Sequence, residues 1–256
     1  MGKDRLQEHY DKKYLHEASN SDIADISDIA DVAFPTNRNE AVVKFLPKMF
    51  SGGDIIEIGA GSGAVAKKLL NSEMAINSYT ISDMSFSRME GLQKSLDDER
   101  LTPLRLDVED IPEDLYGKFD AVIMIALIEH LIDPLGAMQE VRKLLKPGGI
   151  IYIDTPNIAK YTKRIKLLIG SFPSTASANE GLTTFSGEPV DLHDEGHLHY
   201  FTYRSLSLML TERCNFTRIE KVGYPGGRTV FGTTVHGGLA WFWPEMFSEL
   251  ALVAYA

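Results

Sequence analysis

Cysteine is all but absent from this chain. One residue of 256, Cys214, is a cysteine, so no internal disulfide can form, and a reducing compartment, the cytoplasm, is expected. Its setting, Leu208-Met-Leu-Thr-Glu-Arg-Cys214-Asn-Phe, predicts a thiol packed at a helix end rather than a nucleophile. Long apolar runs are lacking too. No stretch approaches the roughly 20 residues of a membrane helix, and Met1-Gly-Lys-Asp-Arg-Leu6-Gln-Glu has no signal-peptide core. Leu6 stands where N-myristoylation asks for serine or threonine. Positive charge is in deficit: 26 Lys and Arg against 36 Asp and Glu leave a formal charge of −10, which disfavours nucleic acid. The local exception, Lys160-Tyr-Thr-Lys-Arg-Ile-Lys166, reads as one solvated helix face. The expected partners therefore include neither nucleic acid nor membrane. What the chain has is 44% hydrophobic residues over 256 positions, enough for one α/β domain with a substantial core.

The most informative stretch is Ile55-Ile-Glu57-Ile-Gly59-Ala-Gly61-Ser-Gly63, followed by the helix formers Ala64-Val-Ala-Lys-Lys-Leu-Leu. An apolar run, a turn freed of Cβ atoms and a helix start make a nucleotide-type binding corner. Asp83 lies twenty residues after Gly63, at the end of the next apolar run, where a carboxylate can accept from both hydroxyls of an adenosine ribose. Such a corner serves NAD, FAD or S-adenosylmethionine alike. Two further absences narrow the choice. No tyrosine is followed by lysine four residues on, as short-chain dehydrogenases require, and no Asp- or Asn-Pro-Pro-aromatic segment marks an amino-group nucleic-acid methyltransferase.

Past Asp83 come Leu104-Arg-Leu-Asp107-Val108-Glu109, then Phe119-Asp-Ala-Val-Ile-Met124-Ile-Ala126-Leu-Ile-Glu129-His130-Leu-Ile-Asp133-Pro134, then Leu144-Leu-Lys-Pro147-Gly-Gly149-Ile-Ile-Tyr-Ile. In that order and spacing the series resembles the class I S-adenosylmethionine-dependent methyltransferases, in particular the small-molecule branch with ubiquinone-type O-methyltransferases and sugar and antibiotic methyltransferases. The likeness runs from about residue 40 to 155 and resumes at Gly196-His197-Leu-His199-Tyr-Phe-Thr. It implies an α/β, doubly wound, mostly parallel seven-stranded sheet with helices on both faces, with S-adenosylmethionine as cofactor. It implies Gly59, Gly61 and Gly63 at the carboxypropyl tail, Asp83 at the ribose, Met84 against adenine, Asp107 at the adenine amino group and Val108 beside it. Met124 completes the expected donor set. Glu57 orients the turn or meets the methionine ammonium. The expected activity is methyl transfer to a small-molecule acceptor, most simply an oxygen nucleophile. N-methylation, a nicotinamide oxidoreductase on the same corner, and a noncatalytic binding module are the alternatives. A homodimer is compatible with the family.

Strand signals fall at 54–58, 75–82, 101–106, 119–125 and 149–154, with helices starting near 62, 85 and 134. This alternation argues a parallel sheet with right-handed crossovers. Thr36 is placed as N-cap of a helix over 37–50, and Pro147-Gly-Gly as the stop of a helix over 135–146. Beyond come helix 158–169, helix 205–213, strand 216–224 and strand 250–255, with hydrophobic pieces at 238–247 whose Trp241 and Trp243 line a pocket or fill the core. One domain is expected over 1–256, with a lid segment at 1–40, a donor-binding core at 41–156, an acceptor cap at 157–195 and completion of the sheet at 196–256. The lid carries Tyr10-Asp-Lys-Lys-Tyr14 and a tripeptide echo from Asp22-Ile23 to Asp31-Val32. A spacing of three fans side chains around a helix, so a packing segment is expected there and not an acidic metal ladder.

The candidate catalytic residues are His130, His197 and His199. His130 follows Glu129 where ubiquinone-type relatives carry Glu-x-x-Glu-His, a pattern able to bind a divalent ion, but Ala126 replaces the first glutamate. No metal is therefore expected. The segment Asp191-Leu-His193-Asp194-Glu-Gly-His197-Leu-His199 keeps three readings open: a general base, a structural hydrogen-bonded histidine, or a metal ligand set.

Overall fold

Seven strands form one sheet in the order β3-β2-β1-β4-β5-β7-β6. The computed structural model describes residues 34–61, 63–84, 98–173, 175, 197–226 and 233–256. The lid residues 1–33, the helix expected from 85 and the histidine-segment residues Asp191, His193 and Asp194 lie outside them. In chain order the elements are α1 (Arg38–Met49), β1 (Gly52–Ile58), α2 (Ala64–Leu70), β2 (Ala75–Asp83), β3 (Leu101–Arg105), β4 (Phe119–Ile125), α3 (Pro134–Leu144), β5 (Leu145–Thr155), α4 (Tyr161–Leu168), α5 (Tyr203–Arg213), β6 (Arg218–Val222), α6 (Thr233–Phe242), α7 (Pro244–Phe247) and β7 (Leu250–Tyr255). Short 3₁₀ turns occupy Glu113–Leu115 and Ile128–His130. Strands β1 to β5 are parallel; β7 runs antiparallel between β5 and β6. The doubly wound sheet expected from the alternation is what the chain builds.

Strand periodicity divides the core in two. On one face Ile56, Ile58, Val122, Met124, Ile151 and Ile153 meet Met138 and Val141 of α3 and Leu206 and Leu210 of α5. On the other, Ile55, Tyr79, Ile81, Ile123 and Tyr152 meet Ala41, Val42 and Leu46 of α1 and Val65, Ala66 and Leu69 of α2. Both faces are covered, which is why these parallel strands read as nearly continuous apolar runs.

Several local expectations need correction. Asn37, not Thr36, caps α1: its side chain accepts from the Glu40 N–H. Thr36 instead donates its N–H and hydroxyl to the Glu40 carboxylate, so the two residues share the helix start. Pro147-Gly-Gly does not stop α3. That helix ends at Leu144 and β5 begins at once, because Leu145 already pairs with Phe119; the Pro-Gly-Gly stretch is absorbed as an irregularity before Ile150 pairs with Ala121. Lys146 beside it spans Asp54 and Asp120 at 2.7 and 2.8 Å and ties β5 to the starts of β1 and β4. Helix α5 starts at Tyr203 because Thr202 and Ser205 form a capping box. Cys214 caps its far end, buried as expected, and burial pushes its thiol up to about 11.

Candidate functional site

All five parallel strands end on one edge of the sheet, and the expected donor residues line up there. Gly59, Gly61 and Gly63 follow β1, each with positive φ (74°, 54° and 70°). Asp83 ends β2, and Asp107 comes two residues after β3. The turn is not a loose loop. Gly59 and Ala60 both donate their N–H to the Ser82 carbonyl, at 2.8 and 3.0 Å, and the Ser82 hydroxyl donates to the Glu57 carbonyl at 3.0 Å. The glycine corner and Asp83 are therefore one rigid unit. Ser82 is the residue that sequence reasoning missed.

Glu57 sits beneath this corner, buried, where Tyr79 donates its hydroxyl to Oε2 at 2.8 Å. The carboxyl also takes the backbone N–H of Ala66. Ala66 is in the first turn of α2, and Gly63, the N-cap, has no side chain to offer. Glu57 thus caps the helix from another strand. These contacts tie the end of β1 to the start of α2 beside the turn. Met124 and Val108 belong to the core, Met124 fully buried between Ile58 and Ile153. The Met124 side chain packs in the core at the end of β4. Val108 has only its backbone to offer the edge.

Past β4 the chain turns at Ala126, a non-glycine residue at φ 49° whose N–H donates to the Asp154 carbonyl at 2.8 Å. Left-handed backbone at such a residue is costly and marks a position held by its surroundings. The turn delivers Glu129 and His130 to the same edge. The Glu129 carbonyl accepts the N–H groups of Leu198 and His199, at 2.8 and 3.1 Å. This pins the histidine segment to β4's end and brings the His130 and His197 rings edge to face, centroids 4.7 Å apart. Thr175 Oγ1 lies 2.6 Å from His197 Nδ1. Glu129, His130 and His197 each offer a ligand atom within 4.8 Å of the others, a set with room for a metal ion. His199 is not in it; its ring lies toward Phe201.

A second polar group closes the far side. Asp154 is buried on β5 and accepts from the Tyr224 hydroxyl at 2.6 Å. Burial pushes its carboxyl up to about 7 against the pull of Arg38. Glu129 accepts from Thr155 at 2.8 Å and is likewise raised by burial. Lys160, placed among solvated residues from sequence, is buried instead: its ammonium meets Glu249 at 2.8 Å and the carbonyls of Pro225 and Gly226. Glu129 Oε1, Asp154 Oδ1 and the Tyr152 hydroxyl are buried without a hydrogen-bond partner among the described residues. Trp241 and Trp243 line none of this and fill no core; both are exposed.

Glu57 and Asp154 both have folded values of about 7, above their ordinary 4.5 and 3.8. The fold accommodates their protonated forms, so this contribution to stability is whole below the ordinary values and is lost as pH rises through about 7. Stability is expected to fall by roughly 5 kcal/mol between about pH 5 and pH 8, about half from each group. The double variant Glu57→Gln, Asp154→Asn should flatten that fall in urea unfolding at a series of pH values. An equally steep fall in the variant would locate the responsible protons elsewhere.

A family profile described as a methyltransferase domain matches residues 34–221. The chain is 27% identical over 110 residues to a ubiquinone biosynthesis O-methyltransferase of Xanthomonas oryzae pv. oryzae, covering 42% of this chain and 44% of that protein. It therefore spans less than half the length of the curated relatives it matches. Among solved structures it resembles the DszA carbon methyltransferase, with TM-score 0.56 and 15% identity over 85% of this chain and 53% of that one. It also resembles an S-adenosylmethionine-dependent methyltransferase from Mesorhizobium loti, with TM-score 0.54 and 16% identity over 84% and 98% of the two chains. These likenesses establish a shared fold. Among the described residues no helix is long and apolar enough to cross a membrane.

Proposed function

Because this chain belongs to the class I S-adenosylmethionine-dependent methyltransferases, we propose that it transfers a methyl group from S-adenosylmethionine to a small-molecule oxygen nucleophile. The observation that carries this reading is the single edge on which the glycine turn, Asp83 and Asp107 stand together, with Glu129, His130 and His197 next along it. The donor, when bound, supplies a methyl group already activated on a sulfonium. The residues that would hold it are Gly59, Gly61 and Gly63 at the carboxypropyl tail, Asp83 at the ribose, Met84 and Val108 at the adenine and Asp107 at its amino group. The turn suits this task because positive-φ glycines let a ligand approach the backbone and because Ser82 holds the turn and Asp83 in fixed relation.

Direct displacement at a sulfonium asks the protein for alignment and exclusion of water, with a base only where the acceptor must lose a proton. His130 and His197 stand beside the end of β4, and His197 and His199 are the main candidates to take that proton or orient the acceptor. Buried polar atoms without partners cost about 1–3 kcal/mol each. The orphan oxygens of Glu129 and Asp154 therefore support a polar acceptor next to them. Ala126 in place of the family's first glutamate supports a mechanism without metal.

Calorimetry is expected to show binding of S-adenosylhomocysteine and none of NAD; the reverse would overturn the reading. With a panel of hydroxyl-bearing acceptors, His197→Ala should lower turnover about 100-fold, within the range for loss of a general base, and leave S-adenosylhomocysteine affinity intact. Chelator should leave turnover unchanged. Arrest by chelator with recovery on adding a divalent ion would instead assign Glu129, His130 and His197 to a metal.

A further inference from the structure

Helix α4 closes on a glycine: Gly170, at φ 75°, takes the left-handed position after the last turn. Gly170 and Ser171 donate their N–H groups back to the carbonyls of Leu167 and Lys166, at 3.0 and 2.8 Å. The short arm beyond this turn, Ser171-Phe-Pro-Ser-Thr175, meets the histidine segment at two points. Phe172 stands edge to face with Tyr200, ring centroids 6.3 Å apart, and Thr175 Oγ1 lies 2.6 Å from His197 Nδ1. His197 is held from other sides as well. The two residues after it, Leu198 and His199, donate their N–H groups to the Glu129 carbonyl, and its ring packs edgewise with His130. The His199 ring instead lies tilted toward Phe201, centroids 6.4 Å apart. Of the two main candidates for the acceptor's proton, His197 is the one whose ring nitrogen the arm engages.

We propose that Thr175 is a positioning residue for the methyl transfer: it orients the His197 ring and holds the ring proton on Nδ1, so that Nε2 takes the acceptor's proton. The inference rests on the reading of His197 as the base. A neutral imidazole carries one N–H and one lone pair. With Nδ1 bonded to Thr175, the nitrogen that meets the acceptor is Nε2. It acts as a base only when the N–H is on Nδ1, donating to Oγ1. In the reaction the acceptor oxygen bonds to the methyl carbon, the carbon–sulfur bond breaks with its electron pair going to sulfur, and the acceptor's proton passes to Nε2. Positive charge thus moves from sulfonium to imidazolium, and the hydrogen bond from Nδ1–H to Thr175 becomes charge-assisted and stronger. An interaction that strengthens toward the transition state raises kcat and leaves ground-state binding alone. Threonine suits the task because its branched Cβ restricts χ1 and keeps the hydroxyl aimed.

Nitrogen-15 NMR of the imidazole rings reads the tautomer without turnover. The chain has seven histidines, and His197→Ala assigns the one in question. At about pH 8, above the ordinary imidazole value of about 6.5, the native protein and Thr175→Ser should carry the His197 proton on Nδ1. Thr175→Val should lose that preference. With a hydroxyl-bearing acceptor, Thr175→Val should lower kcat roughly tenfold, as the gain from a neutral to a charge-assisted hydrogen bond implies. The acceptor KM and the affinity for S-adenosylhomocysteine should stay unchanged, and Thr175→Ser should recover most of the lost kcat. A native proton on Nε2 overturns the proposal, as does native kcat in Thr175→Val or an equal loss in Thr175→Ser. Normal turnover by His197→Ala would reject the base reading itself and this inference with it. Slow turnover by His197→Ala with the native proton on Nε2 would reject the positioning role alone.

Discussion

Gly59→Val is expected to abolish donor binding, with a loss of affinity beyond about 100-fold, while the protein stays folded. Gly59 holds φ at +74°, a conformation that costs an L-residue about 1–2 kcal/mol and a β-branched one more. Its Cβ would also lie 3.3 Å from Leu127 Cδ2, so Leu127 must give by a few tenths of an ångström. That strain is a modest fraction of the roughly 5–15 kcal/mol that holds a domain together. Binding has no such reserve, because a side chain at the turn would stand in the ligand's space and tilt the N–H groups that Ser82 now holds. Gly59→Ala should show the same effect in smaller measure. Calorimetric titration with S-adenosylhomocysteine, with thermal unfolding as the control, reads both quantities. A folded Gly59→Val protein that binds like the native one would remove the donor from this corner.

Asp83→Ala should weaken donor binding by more than about 100-fold. A carboxylate that accepts from ribose hydroxyls makes charge-assisted hydrogen bonds worth about 1.5–3 kcal/mol each. Asp83 is at the last position of β2, with its neighbour Ser82 clamped to the glycine turn, so alanine has no nearby acceptor to substitute for it. Asp83→Asn, which keeps an acceptor oxygen without the charge, should fall between. Affinity equal to the native protein's in Asp83→Ala would show that the ribose lies elsewhere, whatever the result at Gly59.

The residues whose places were legible from sequence share a property: their signal is local. The strand at 250–255 appears with the expected bounds because six consecutive apolar residues admit little else in a sheet buried on both faces. Gly59, Gly61 and Gly63 were legible because only a left-handed turn calls for glycine so closely spaced. Pro147-Gly-Gly was read as a helix stop by the same local logic, and failed because Leu145 had already found Phe119 on another strand. The exposed Trp241 and Trp243 failed for a related reason, since hydrophobicity signals a tendency to be buried and carries no information on what surface is left to bury against.

The sequence by itself determined the fold class, the family and the glycines and acidic residues along the strand ends, because apolar periodicity and glycine spacing act within a few residues of chain. Tertiary structure alone decided what the polar side chains do. Glu57 became a cap for Ala66, sharing its carboxylate with Tyr79. The Glu129 carbonyl drew His197 to His130. Asp154 found Tyr224, and Lys160 left solvent for Glu249. A hydrogen bond between distant segments depends on strand register and helix placement to within a few tenths of an ångström, and no spacing along the chain encodes that.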